Sequence, residues 1–385
     1  MKTVGIICEY NPFHLGHARQ FQLVREAFGL DAAIVCVMSG NYVQRGEPAM
    51  WDKFTRARAA AACGADVVLE LPITGVLRSA EGFAQTGVQV LTRFGAVEHL
   101  CFGAECGSGR QLMELAERMD SPEFSSSLRA GLDAGLSYAA ARQAALNDTG
   151  GLLQEPNNIL GLEYCRAILS QGSPLLPFAI QRTGQYHAAD PDPAAPSATA
   201  VRTLFPDGGW QHFVPLQAHG CFQDAPRYAL SFGERAMLAR LRALSDREWE
   251  NCAHGSEGLW SKAMKASRTH STLEEIIQAT KSKRYPRTRI QRLLLCAYLG
   301  IQAGDLMQPF PYVRILAASK RGCSMLRQAK QTGGLTLVNP GQTPPDRAYY
   351  TMEARAADLF TLFSAPGIPS PCRTEQSARL CENIL

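Results

Sequence analysis

Cys8-Glu9-Tyr10-Asn11-Pro12-Phe13-His14-Leu15-Gly16-His17 is the stretch on which the reading of this chain turns. It closes a short apolar run, Val4-Gly5-Ile6-Ile7-Cys8, of the kind found in a buried parallel strand. Asn11-Pro12 breaks that run. A helical pattern follows from about His17, with Phe21, Val24 and Phe28 at three- and four-residue spacing. The same alternation recurs downstream. Ala33 to Val37, Val67 to Leu69, His99 to Phe102 and Leu176 to Gln181 read as further strands. Helical stretches lie between them at about Lys53–Cys63, Ser79–Phe94 and Asn158–Leu169. Short apolar runs alternating with helices predict β-α-β units, hence an α/β fold with an open, doubly wound parallel sheet over residues 1–205. Ligands of such sheets sit outside the carboxyl ends of the strands, so the loops after Cys8, Val37, Leu69, Phe102 and Gln181 are expected to share one crevice. Beyond a linker at 206–224, Leu230–Leu244, Thr272–Ile277 and Arg289–Leu299 are helical in period. A second, mostly helical domain is therefore expected over 225–385, with an irregular tail from Gly333 to Pro345.

Composition narrows the function classes. With 385 residues, 46% of them hydrophobic and 19% charged, the chain can build real cores and is not a disordered polymer. Thirty-nine Lys and Arg against 35 Asp and Glu leave a net charge of +4, so any nucleic-acid footprint must be local. The 12 cysteines are scattered from Cys8 to Cys381 without a C-x-x-C pair, which suits reduced thiols in a cytoplasmic protein and no zinc ribbon. No run approaches the ~20 apolar residues that span a bilayer, and Val4–Cys8 is too short for a signal-peptide core.

The turn between the first strand and helix has its own chemistry. His14 and His17, three apart, fall on one side of the first helical turn, and Gly16 lets a group approach the backbone. The helix N-terminus adds free N–H groups and a positive dipole end. Imidazoles and backbone donors aimed at one point suit a phosphate whose charge rises in a transition state. A core histidine beside an ordinary helix start is the plainer reading, and the joint occurrence of strand, turn, H-x-G-H and helix argues against it.

On these residues the chain resembles the nucleotidylyl transferases, and Cys8–His17 as a whole resembles one branch, the bacterial tRNA-methionine cytidine acetate ligases. Further blocks follow in order: Ser39–Pro48, Gly64–Pro72, Phe102–Glu105, Pro156–Gly161, Ser197–Arg202 and Lys281–Arg292. The resemblance covers about residues 1–330. Cys8 and Leu15 stand where other residues are common, and Ala104 where serine is. The resemblance implies a Rossmann-like sheet and an ATP-dependent ligase. Such an enzyme activates acetate as acetyl-adenylate and acetylates the exocyclic N4 amine of the wobble cytidine in elongator methionine tRNA. It implies His14 and His17 as catalytic groups. ATP would be lined by Ile7, Cys8, Glu9, Tyr10, Asn11, Pro12, Phe13, His14, Leu15, Gly16, His17, Ala18, Arg19 and Gln20. One of Asn157 and Asn158 would join them.

Other residues are read on their own chemistry first. Ser197 reads as a helix N-cap, with an ordinary cap and a solvated arginine as the plainer reading; the resemblance to the nucleotidylyl transferases implies that Ser197, Thr199 and Arg202 grip the triphosphate. Arg182 ends the fifth strand, where a guanidinium fork suits polyphosphate. Gly103 ends the fourth, where a side chain would crowd adenine or ribose. Asn41, Gln44, Arg45, Gly46 and Glu47 form a polar loop facing the crevice, with Lys53 and Arg56 one turn beyond. Asp66 and Glu70 lie roughly 13 Å apart along a strand, too far to share a metal. No protein metal site is expected, and Mg2+ is expected to arrive with ATP. Lys281, Lys283, Arg284, Arg287, Arg289 and Arg292 fall within twelve residues that hold Tyr285 and no acid. Cations around an aromatic suit a tRNA backbone and an unstacked base; Lys262, Lys265 and Arg268 extend the patch. Two rivals share these features: a nucleotidylyl transferase acting on a small phosphorylated metabolite, and a non-catalytic tRNA-binding protein.

Overall fold

The computed structural model describes residues 2–146, 151–182, 196–205, 208–332 and 334–377. Pro191–Ala195, most of the proline-rich stretch before Ser197, lies outside them. The sheet contains β1 (Thr3–Cys8), β2 (Ala33–Ser39), β5 (Val67–Leu71), β6 (His99–Ala104) and β7 (Leu176–Gln181), all parallel. A two-stranded ribbon, β3 (Tyr42–Val43) and β4 (Glu47–Pro48), stands apart on the loop after β2. Alternation in β2 shows why the run is apolar throughout. Val35 and Val37 join the core on one face with Val88, Leu91 and Leu162, while Ile34, Cys36 and Met38 join the other with Phe21, Val24 and Ala57.

Strand order is β7-β6-β1-β2-β5, continued by β8 (Val313–Ala318) and β9 (Leu337–Val338). The chain winds outward from β1 through β2 and β5, then returns to lay β6 and β7 on the other side. Winding reverses between β1 and β6, and that is where an open α/β sheet leaves its crevice.

The last two strands revise the expected organisation. The helices Leu230–Ala243, Leu259–Thr269, Leu273–Thr280 and Arg287–Leu299 follow the periodicity of the sequence. The helical unit expected over 225–385 nevertheless sends Val313–Ala318 back to the first sheet, antiparallel to β5. Arg314 hides this strand from a sequence reading, because it interrupts an otherwise apolar run. In the fold it is 1% exposed and faces buried carboxylates. The junction is pinned by Asp66, which was expected only to flank its strand. Asp66 accepts from the Ile34 amide at 3.0 Å and the Ser319 hydroxyl at 2.9 Å, and pairs with Arg321 at 2.7 Å.

Candidate functional site: two imidazoles at the mouth of the first helix

The helix Leu15–Phe28 begins with His14 as its N-cap. The His14 Nδ1 accepts from the Gly16 amide at 3.1 Å, and the His17 Nδ1 accepts from the His14 amide at 3.2 Å, so the histidines form a reciprocal capping box. Their rings stack with centroids 3.7 Å apart. Gly16 is small for this reason: a Cβ there would lie 3.0 Å from the His14 ring. The approach that glycine permits is thus made by the protein's own imidazole. Each Nδ1 accepts from a backbone N–H, so each neutral ring carries its proton on Nε2. Burial, then the nearby Arg182 and Arg202 guanidinium groups, pulls the His14 pKa down to about 3. Burial, His14 and Arg182 hold His17 well below the usual imidazole range. At neutral pH both rings are uncharged donors, fixed at the positive end of a helix.

His17 lines a crevice of about 390 Å³ at the switch point, and His14 stacks behind it. Ile7, Cys8, Glu9, Tyr10, Asn11 and Gln20 line the same crevice, with Gln44 and Arg45 from the loop after β2, Phe102 and Gly103 from β6, Arg182, and Ala198 and Arg202 from the helix Ala198–Leu204. Of the stretch Ile7 to Gln20, Pro12, Phe13, His14, Leu15, Gly16, Ala18 and Arg19 are not among its lining residues. Phe13 is fully buried, and Arg19 pairs with Glu26 at 2.9 Å. Arg202 donates to the Asn11 carbonyl at 2.6 Å and to the Thr199 hydroxyl at 3.0 Å, tying the second helix start to the histidine loop. Ser197 caps that helix through the Ala200 amide and, like Thr199, does not itself line the crevice. At Gly103 a Cβ would meet the Arg182 stem at 3.1 Å, so the missing side chain makes room first for the arginine.

The two asparagines separate. Asn157 lines the crevice, whereas Asn158 is 2% exposed and accepts from the Cys106 amide at 3.0 Å. Glu105 caps this helix by accepting from both asparagine amides. Sequence reading missed the apolar wall: Phe83, Ile159, Leu160 and Tyr164 also line the crevice. Their residue types signal core rather than site, and only the position of Ile159 and Leu160 beside Asn157 hinted otherwise.

Two expected crevice residues are structural. Arg56 is fully buried and donates to the carbonyls of Glu9, Trp51, Ser39 and Gly40. Lys53 is 4% exposed and pairs with Glu70 at 2.7 Å and with Glu375. These belong to a buried ionic cluster with Arg314 and Glu353, where burial and then Glu70 push Glu353 up to about 7.

The basic segment meets acids from other elements. Arg287 pairs with Glu274 at 2.6 Å, Arg289 with Glu257 at 2.9 Å and Arg284 with Glu257 at 3.4 Å, while the Tyr285 hydroxyl donates to the Glu257 carbonyl. Arg292 is 8% exposed and reaches the Gln44 carbonyl beside the crevice at 3.5 Å. Lys281 and Lys283 are exposed.

Comparison with known proteins places this geometry. A family model described as HIGH Nucleotidyl Transferase matches residues 1–371, past the point at 330 where the sequence resemblance ended. A tRNA(Met) cytidine acetate ligase of Acetivibrio thermocellus is 34% identical over 366 residues, 88% of each chain. The chain belongs to this ligase family, within the HIGH nucleotidyl transferases. The Syntrophomonas wolfei protein of the same name is 37% identical, covering 89% of this chain and 87% of that one. The crystal structure of apo Thermotoga maritima TmcAL superposes with a TM-score of 0.88 at 27% identity, covering both chains completely. The same protein bound with alpha-thio ATP gives 0.87 at 28% identity, over 99% of this chain and all of that one. Among the described residues no helix is long and apolar enough to cross a membrane.

Proposed function

We propose that this chain is an ATP-dependent ligase that activates acetate as acetyl-adenylate and acetylates the N4 amine of the wobble cytidine of elongator methionine tRNA. The observation that carries the reading is the pair of stacked imidazoles whose Nδ1 atoms are occupied by backbone amides, which leaves two Nε2–H donors at a helix start flanked by Arg182 and Arg202. An acetate oxygen attacks the α-phosphorus of ATP, the P–O bond to pyrophosphate breaks, and charge grows on the phosphoryl oxygens and the leaving group. Fixed neutral donors and two arginine forks stabilise that charge without reorganising. Asn157, which lines the crevice, would meet the nucleotide rather than the buried Asn158. Glu9 is the one carboxylate among the described lining residues, so Mg2+ fits here as an ion held by the triphosphate itself.

Acetyl transfer to tRNA follows. The exposed Lys281 and Lys283, with Arg284 and Tyr285, offer a backbone footprint, and Arg292 links that segment to the crevice through Gln44. ATP, radiolabelled acetate and bulk bacterial tRNA test the whole: label is expected in RNA with pyrophosphate released. Release only with a phosphorylated metabolite points to the rival transferase, and tRNA binding without release points to a non-catalytic binder.

A further inference from the structure

Acetyl transfer, on the reading above, needs a proton acceptor, because the attacking amine must lose a proton as it becomes an amide. The crevice offers few. His17 has spent its Nδ1 lone pair on the His14 amide, so its free nitrogen is a donor. Burial holds the Cys8 thiol and the Tyr10 and Tyr164 phenols in their protonated forms. Arg45, Arg182 and Arg202 are cations, and Gln20, Gln44, Asn11 and Asn157 are amides. Among the described lining residues, Glu9 remains.

Its placement suits the task. The Glu9 Oε1 accepts from the Gln44 amide at 2.7 Å, which fixes the carboxylate, and no described donor engages the other oxygen. Arg56 grips the Glu9 carbonyl and is itself locked by three further backbone carbonyls. Glu9 therefore sits on a clamped backbone, two residues before the Asn11 carbonyl that Arg202 holds.

We propose that Glu9 accepts the proton in acetyl transfer. The cytidine N4 attacks the carbonyl carbon of acetyl-adenylate and a C–N bond forms. The C–O bond to AMP breaks, its electron pair leaving on the phosphate. One N4 proton passes to the Glu9 carboxylate.

Groups facing Glu9 set its working range. Arg56, Arg202 and Arg45 favour its ionised form, as does the Gln44 amide, and Tyr164 faces it from the helix Pro156–Ser170. Burial outweighs these and raises its pKa from the ordinary glutamate value. A carboxylate must be ionised to accept, so transfer is expected to fall as pH drops through that raised value.

The test supplies synthetic acetyl-adenylate and tRNA to the full-length enzyme in single turnover, which bypasses adenylation. Wild type should transfer, with an inflection above the ordinary glutamate range. Glu9→Gln keeps the shape and the Gln44 interaction, and should transfer about 10²–10⁴-fold more slowly with the inflection gone; Glu9→Asp should recover part of the rate. A Glu9→Gln enzyme that transfers at the wild-type rate, or keeps the inflection, overturns the assignment. So does a wild-type profile that is flat or inflects only at the ordinary value, a result that needs no variant to fold. A wild type that makes acetyl-adenylate yet never transfers it overturns the acetyl-transfer reading instead.

Discussion

His14 caps the first helix through the Gly16 amide, and in the function proposed above its Nε2–H is also a donor to phosphoryl charge; a pair of substitutions separates the two. Removing a good N-cap costs about 0.5–2 kcal/mol, and asparagine is among the best caps. Removing one preorganised donor to developing oxyanion charge costs about 10²–10³-fold in rate. His14→Ala should therefore lose both stability and rate, whereas His14→Asn should keep most of the stability and still lose the rate. Urea unfolding measures the first quantity and acetate-dependent ATP–pyrophosphate exchange the second. The pH dependence adds a check. With the His14 pKa at about 3, its ring is neutral across the working range, so exchange should show no inflection near the ordinary histidine value of ~6.5. The lowered pKa also means that its share of stability is present above ~6.5 and is lost as pH falls toward 3. An asparagine variant that exchanges at the wild-type rate would refute the donor role. Equal destabilisation by both substitutions would refute the cap.

Three further expectations follow from the same geometry. Arg202→Ala removes the grip on the Asn11 carbonyl and a cation from the crevice, and should weaken ATP binding by about 10–100-fold, as for a hydrogen bond to a charged group; calorimetry with ATP reads it directly. Glu353, raised to about 7, contributes stability that is complete below its unfolded value and lost as pH climbs through 7. The melting temperature of Glu353→Gln should therefore gain on wild type between pH 5 and pH 8, and a constant difference contradicts this. Lys281→Ala with Lys283→Ala should weaken tRNA binding and flatten its salt dependence, by ~0.7–0.9 in log–log slope for each phosphate that is no longer neutralised. Unchanged binding in low salt removes these lysines from the footprint.

What the sequence made legible was local or periodic. The strand–turn–helix around His14 is contiguous, so its apolar spacing and cap chemistry can be read from within twenty residues. What it concealed depends on partners far along the chain. Arg56 looks like a side chain for a ligand until four carbonyls, one of them from Glu9, are seen to surround it. The run Lys281–Arg292 looks uncompensated because Glu257 and Glu274 lie outside it. Arg314 disguises a strand because the buried carboxylates that neutralise it come from Glu70, Glu353 and Glu375.

The late arrival of β8 bears on how this protein is made. When the ribosome has delivered the nucleotide-binding half, β5 still shows a bare row of amides and carbonyls along one flank, and the Asp66 carboxylate has neither Ser319 nor Arg321. That flank stays unprotected until Val313–Ala318 leaves the exit tunnel. A gene fragment cut near residue 205 should accordingly yield sticky, self-associating material rather than a free-standing domain, and nascent chains are most exposed to aggregation in that interval.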